Sequence, residues 1–185
     1  MIRPAMTMLA TAAAISGLVA VPVPAASAAG NLLRNPGFEQ SLTSDVWKGQ
    51  DCCVTTSDPH GGSWIAYMGS TGAPHTDTIR QKVSIPDRDA AKLSFWVKIW
   101  TDELAGTADD TFRVKVLVNG RTRTIKSLSS ADATRTREGG TARYVKYSVG
   151  MSRYTGKTVV LLFVATEDQG DRTDFQLDDT ALRAF

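Results

Sequence analysis

The stretch Ala91-Lys-Leu-Ser-Phe-Trp-Val-Lys-Ile-Trp-Thr101 decides how the chain is read. Leu93, Phe95, Val97 and Ile99 alternate with Ser94, Trp96, Lys98 and Trp100. Successive side chains of an extended strand point to opposite faces, so period-two spacing means a strand with one face in a core. The pattern recurs in Thr111-Phe-Arg-Val-Lys-Val-Leu-Val118, with Phe112, Val114, Val116 and Val118 inward, and over residues 77–85 through Ile79, Val83 and Ile85. Asn119-Gly120 is the dipeptide of a two-residue hairpin turn and predicts a return strand after it. Lys157-Thr-Val-Val-Leu-Leu-Phe-Val-Ala165 is apolar at both parities, as for a central strand. Further strands are expected near 53–56, 63–68, 143–149 and 173–182, separated by turn signals such as Asp58-Pro-His-Gly-Gly62. Roughly nine or ten strands without a long amphipathic helix predict an all-β chain, an antiparallel β-sandwich of jelly-roll type.

A chain of 185 residues is enough for one domain with a real core. Its first 29 residues read as a secretory signal peptide: Arg3 gives a basic start, residues 8–21 are apolar or small, and Ala25-Ala-Ser-Ala-Ala-Gly30 offers cleavage sites. Pro22 and Pro24 follow an apolar run that is short for a bilayer span. The expected division is therefore a signal peptide over 1–29 and a secreted β-sandwich over 30–185, with no membrane attachment after cleavage. The 21 Lys and Arg nearly balance the 19 Asp and Glu, which argues against a nucleic-acid partner. Cys52 and Cys53 are adjacent. In an exported chain they form a strained vicinal disulfide, bond to another chain, or stay free, and their spacing does not choose among these.

Asp178 and Asp179 sit in a strand-like stretch, where isolated carboxylates are costly to bury. At the other end of the exported chain stands Asn31-Leu-Leu-Arg-Asn-Pro-Gly-Phe-Glu39. We expect these two ends to be neighbouring strands, with a hard cation between Glu39 and the Asp pair. Trp96, Lys98 and Trp100 define the outward face of 91–101. Arg113 and Lys115 on a second strand, with Tyr144 and Lys146, are expected to extend that face into a surface for polysaccharide. The competing reading is that loops cover the indoles and make them core. Catalysis has little support. His60 and His75 are the only histidines, no nucleophile elbow is present, and zinc-ligand spacing is lacking. Asp102/Glu103 and Asp109/Asp110 would suit a glycosidase acid–base pair only if set across a cleft. Acidic loops of this kind are usually solvated.

The 31–39 stretch, with Trp47, Gly62-Ser-Trp64, Leu93-Ser-Phe-Trp96 and Phe175-Gln-Leu-Asp-Asp-Thr-Ala-Leu182, resembles bacterial jelly-roll carbohydrate-binding-module-like domains. Thr76-Asp-Thr-Ile-Arg-Gln-Lys-Val-Ser-Ile-Pro86 and Ala165-Thr-Glu-Asp168 look like the version appended to the C-terminus of secreted bacterial proteases. The resemblance implies a non-catalytic accessory domain with a structural calcium, for which Glu39 and Asp178 fall at the acidic ligand positions. Asp179 competes with Asp178 for that role, and the Gly62-Ser63 turn would add carbonyls. It also implies that the partner is polysaccharide or a secreted protease. The chain is expected to differ from those domains in standing without an enzyme, and it differs in carrying Asp51-Cys-Cys53.

Overall fold

The computed structural model describes residues 30–40, 46–50 and 53–185. The expected signal peptide, Cys52 and the side chain of Cys53 lie outside the described residues. Twelve strands are present among those described: β1 (Lys48–Gln50), β2 (Cys53–Thr55), β3 (Ile65–Gly69), β4 (His75–Ser84), β5 (Ala91–Thr101), β6 (Thr111–Val118), β7 (Arg121–Ser129), β8 (Arg135–Thr136), β9 (Gly139–Gly140), β10 (Tyr144–Gly150), β11 (Thr158–Glu167) and β12 (Thr173–Ala184). The only helical pieces among these residues are two short 3₁₀ turns.

The strands form two sheets. One has the order β1-β4-β11-β6-β7. The other runs β2-β3-β12-β5 and continues beyond β5 in two places, with β10 antiparallel to its first half and β8 parallel beside its end. The inward residues expected on β5 and β6 are those that pack: Leu93, Phe95, Val97, Phe112, Val114 and Val116 are essentially inaccessible. The Phe95 ring meets that of Phe163 edge-on at 5.6 Å, and Phe112 stacks on Phe175 at 5.8 Å, so these pairs bridge the sheets. Each such side chain contributes roughly 1.5–3 kcal/mol through removal from water. β11 is the central strand of its sheet, as its two-sided apolar pattern predicts.

The two ends of the described chain lie side by side, but residues 31–39 form no strand. Pro36 has no N–H to give to a ladder, and Asn35 and Phe38 have φ of 47° and 61°, which breaks the extended path. The segment is instead tied to β12 by scattered bonds: Leu32 N–H to Leu182 O at 2.8 Å, Thr180 N–H to Pro36 O at 2.9 Å, and Asn31 Nδ2 to Thr180 O at 2.9 Å. Phe38 and Trp47 then drop into the core, their rings 5.4 Å apart. The Asp178-Asp179 problem is solved by a bulge. Asp178 faces Trp96 across the sheet and Ala181 faces Ser94, so two residues of β12 oppose one of β5.

Candidate functional site

Three carboxylates converge at the edge of the bulge. A Cβ on Gly37 would stand 3.6 Å from Asp179 Oδ1 and 3.7 Å from both Asp178 Oδ1 and Glu39 Oε1. Each carboxylate also receives hydrogen bonds or contacts from residues 60–64. His60 and Gly61 N–H donate to Asp178 Oδ2 at 2.9 and 3.0 Å, Ser63 N–H donates to both Glu39 oxygens at 3.0 Å, and Trp64 N–H to Glu39 Oε1 at 3.2 Å. Ser63 thus meets the cluster through its N–H. His60 Nδ1 lies 2.7 Å from Asp179 Oδ2, the sole ion-pair contact of the three acids among the described residues. Asp178 is completely buried. Loss of solvation pushes its carboxyl above the usual range, against the pull of the Gly61 and Asp179 N–H groups.

An all-oxygen set with three formal charges and no Lys or Arg partner suits a hard cation. Among the described residues, however, no three His, Cys, Asp or Glu side chains are arranged as a metal-binding group as they stand. Their oxygens are turned to backbone N–H donors. Glycine is needed for this approach: Gly62 has φ of 63°, and a Cβ there would run into the Glu39 carboxylate.

The outward face of β5 is covered over its second half, while a shallow cavity lined by Lys92, Ser94, one side of Trp96, Lys146 and Arg183 remains over its first. The turn over 58–63 folds across the covered part, and the His60 ring stacks on Trp96 with centroids 4.0 Å apart. Lys98 is only 3% exposed and forms an ion pair with Asp58. Its ammonium also lies 4.8 Å from the centre of the Tyr144 ring. Trp100 is covered by the guanidinium groups of Arg135 and Arg172, at 4.9 and 4.6 Å from its ring centre. Asp174 and Gln176 on β12 share this face, and Asp174 Oδ1 and Gln176 Oε1 have no hydrogen-bond partner among the described residues. Trp96, Lys98, Trp100 and Tyr144 therefore lie close together, with Lys98 buried and the three rings half-covered by neighbouring side chains. Arg113 does not join them. It lies on β6 in the other sheet, opposite Val164, on the far side of the molecule. The indole that is exposed is Trp64, at 39%.

Among the described residues, no loop folds over the outer face of the five-stranded sheet. A groove of about 430 Å³ crosses it, lined by Arg34, Val46, Lys48, Arg80, Gln81 and Lys82 along one bank, with Leu117, Val160 and Leu162 as its floor. Cross-strand register explains the floor: Val160 lies between Lys82 and Leu117, and Leu162 between Arg80 and Lys115. The outward half of the two-sided apolar pattern of β11 is a local signal for this floor, read in the sequence only as the mark of a central strand, and the cations come from stretches distant in sequence.

In each of the acid pairs Asp102/Glu103 and Asp109/Asp110, one member is already engaged. Asp102 is held by Arg172 at 2.9 Å. Asp110 is fully buried, its Oδ1 accepting the Asp168 N–H at 2.9 Å.

No protein-family model matches the sequence, and no curated protein matches it. Solved structures do resemble it. TmCBM61, determined in complex with β-1,4-galactotriose, has a TM-score of 0.61 at 18% identity, covering 84% of this chain and 99% of its own. The CBM22-1 xylan-binding domain of Paenibacillus barcinonensis Xyn10C has a TM-score of 0.53 at 18% identity, covering 86% and 97%. The K3 adhesin domain of Lys-gingipain from Porphyromonas gingivalis has a TM-score of 0.58 at 14% identity, covering 80% and 97%. At such identities the likeness is one of fold: the chain is an all-β jelly-roll sandwich with the architecture of carbohydrate-binding modules and adhesin domains. Among the described residues no helix is long and apolar enough to cross a membrane.

Proposed function

We propose that the chain is an exported, non-catalytic domain that binds polysaccharide in the groove across the five-stranded sheet. The observation that carries the reading is that open groove, on a fold shared with domains described as xylan-binding or bound to a galactotriose. The indoles of β5 support a structural role instead, because loops cover them. The basic, apolar and small-residue order of the first 29 residues supports export.

Calcium belongs to the same reading as a structural ion. Glu39 and Asp178 would hold it, with Asp179 and carbonyls of the 62–63 turn as further oxygen donors. When bound it would neutralise charge that the protein's own cations leave unopposed. The chain's residues meanwhile bind the 58–64 turn to the two ends through N–H donors.

Affinity electrophoresis of the exported chain through gels containing a panel of soluble polysaccharides tests the binding. Retardation by at least one member is expected, and free passage through all of them rejects the reading. A second reading is a protein-interaction domain working beside secreted proteases. It draws on the adhesin domains among the similar structures. Recovery of a protease from culture supernatant, with no polysaccharide retention, would put it first.

A further inference from the structure

The groove is built for negative charge. β1, β4, β6, β7 and β11 carry eight Lys and Arg residues and only two acids, Asp77 and Glu167. Both acids are buried and engaged with backbone N–H groups, Asp77 with Gly69 at 2.6 Å and Glu167 with Thr71 at 2.9 Å. The outer face itself presents Lys48, Arg80, Lys82, Arg113 and Lys115, with Arg34 at the rim, and none of the six forms an ion pair with a described residue. Lys48 and Arg80 are direct cross-strand neighbours. Like charges in that position repel and destabilise the sheet. A chain that is nearly neutral overall keeps this local excess at a cost that a bound polyanion would relieve.

The hydrogen-bonding capacity of the lining points the same way. Arg and Lys offer donors and no acceptor. Gln81, the remaining polar side chain of the lining, has both amide ends engaged with the Arg34 backbone at 2.9 and 3.0 Å. A neutral sugar hydroxyl uses donors and acceptors together, whereas a carboxylate only accepts. No Trp, Tyr or Phe faces outward from these strands, so stacking of sugar rings on aromatic faces is absent and the aliphatic floor offers only nonspecific contact. The lack of aromatics equally disfavours single-stranded nucleic acid, which is held by base stacking.

We propose that the ligand of this groove is a linear polysaccharide bearing carboxylates, a uronan, gripped by Arg34, Lys48, Arg80 and Lys82 over the Val160/Leu162 floor. The inference rests on the polysaccharide reading above and narrows it.

The test compares polygalacturonate with its methyl-esterified form, which share a backbone and differ in charge, by titration calorimetry on the exported chain in buffer without added calcium. Binding to polygalacturonate at least tenfold tighter than to the ester is expected, weakening as salt rises. The Arg80→Ala/Lys82→Ala double variant should lose at least tenfold in affinity with an unchanged melting temperature, while Lys92→Ala/Arg183→Ala on the opposite sheet should bind normally. Equal binding to acid and ester, or an unaffected Arg80/Lys82 variant, overturns the inference. So does equal affinity for polyglutamate or duplex DNA, which would mark a generic polyanion surface. Binding to neutral polysaccharides alone overturns the uronan assignment and leaves the broader reading standing. No binding to any polysaccharide removes both.

Discussion

The outer faces of the two sheets follow the same alternating pattern and end in opposite states. On the seven-stranded sheet, Trp96, Lys98 and Trp100 point outward and are then covered by His60, Asp58, Arg135 and Arg172. On the five-stranded sheet, Val160 and Leu162 point outward and are half-buried, and among the described residues no loop closes over them and no acid pairs with the flanking cations. Alternation tells which side of a sheet a residue takes. It does not tell whether a loop will come back over that side. Over Trp96 and Lys98 the difference is made by the turn over 58–64, which is fastened by Glu39, Asp178 and Asp179, and over Trp100 by Arg135 and Arg172. The acid cluster at the joined ends therefore also holds the cover over Trp96 and Lys98 in place.

The sharpest way to break this comparison is to unfasten the turn. Asp178→Ala removes the acceptor of the His60, Gly61 and Asp179 N–H groups. Leaving these partly buried donors without partners costs up to about 1–3 kcal/mol each where water cannot replace the carboxylate, offset in part by removal of a buried charge. We expect a net loss of about 2–4 kcal/mol in urea unfolding, with red-shifted, more quenchable tryptophan emission as Trp96 is uncovered. Arg80→Ala and Lys82→Ala, on the open face, should each stay within about 0.5 kcal/mol of the parent. Equal costs on the two faces would end the distinction.

Calcium sharpens it next. If Glu39 and Asp178 hold a cation in the folded state only, calcium at about a hundred times its dissociation constant adds about 2.7 kcal/mol. Calorimetric melts should then rise with calcium and fall with chelator, and Glu39→Gln should flatten the response. Gly62→Ala, which pushes against the Glu39 carboxylate, should do the same. Melts indifferent to chelator would leave the cluster as a purely hydrogen-bonded clasp.

The central strands, the inward residues of β5 and β6 and the meeting of the two ends are legible because each rests on period-two patterning or on charge that has to be answered nearby. β5 and β6 run over the residues expected of them, since alternation and flanking turns agree there. Residues 31–39 read as a strand because apolar Leu32 and Leu33 suggest one, while Pro36 and the left-handed Asn35 and Phe38 prevent it. Arg113 falls in with the indoles on sequence because alternation cannot say which sheet a strand joins. The groove is hidden for a related reason. Arg34, Lys48, Arg80 and Lys82 come from three separate stretches, and only the β1–β4–β11 register brings them to one bank. The covering of Trp100 by Arg172 and Arg135 is a tertiary contact with no local signature.

The smallest expected effect concerns acid on the closed face. Asp174 is buried among Tyr67, Arg172 and Trp100, and burial holds its carboxyl above the ordinary range, with Arg172 pulling the other way. The same enclosure pushes the Tyr67 phenol up to about 12. A carboxyl whose folded pKa is raised binds its proton more tightly in the folded state than in the unfolded one. Its stabilisation is complete below the unfolded value, near about pH 4, and is lost as pH rises through the folded value. Asp174→Asn cannot ionise, so it should gain in melting temperature relative to the parent as pH goes from about 4 to about 7. The difference between the two proteins at each pH isolates this group from the other buried acids. Lys82→Gln, on the face opposite, should track the parent across that window. A difference between the parent and the Asp174→Asn variant that is flat, or that grows in the parent's favour with pH, would mean that Asp174 is solvated and that the face is less closed than its covering side chains make it.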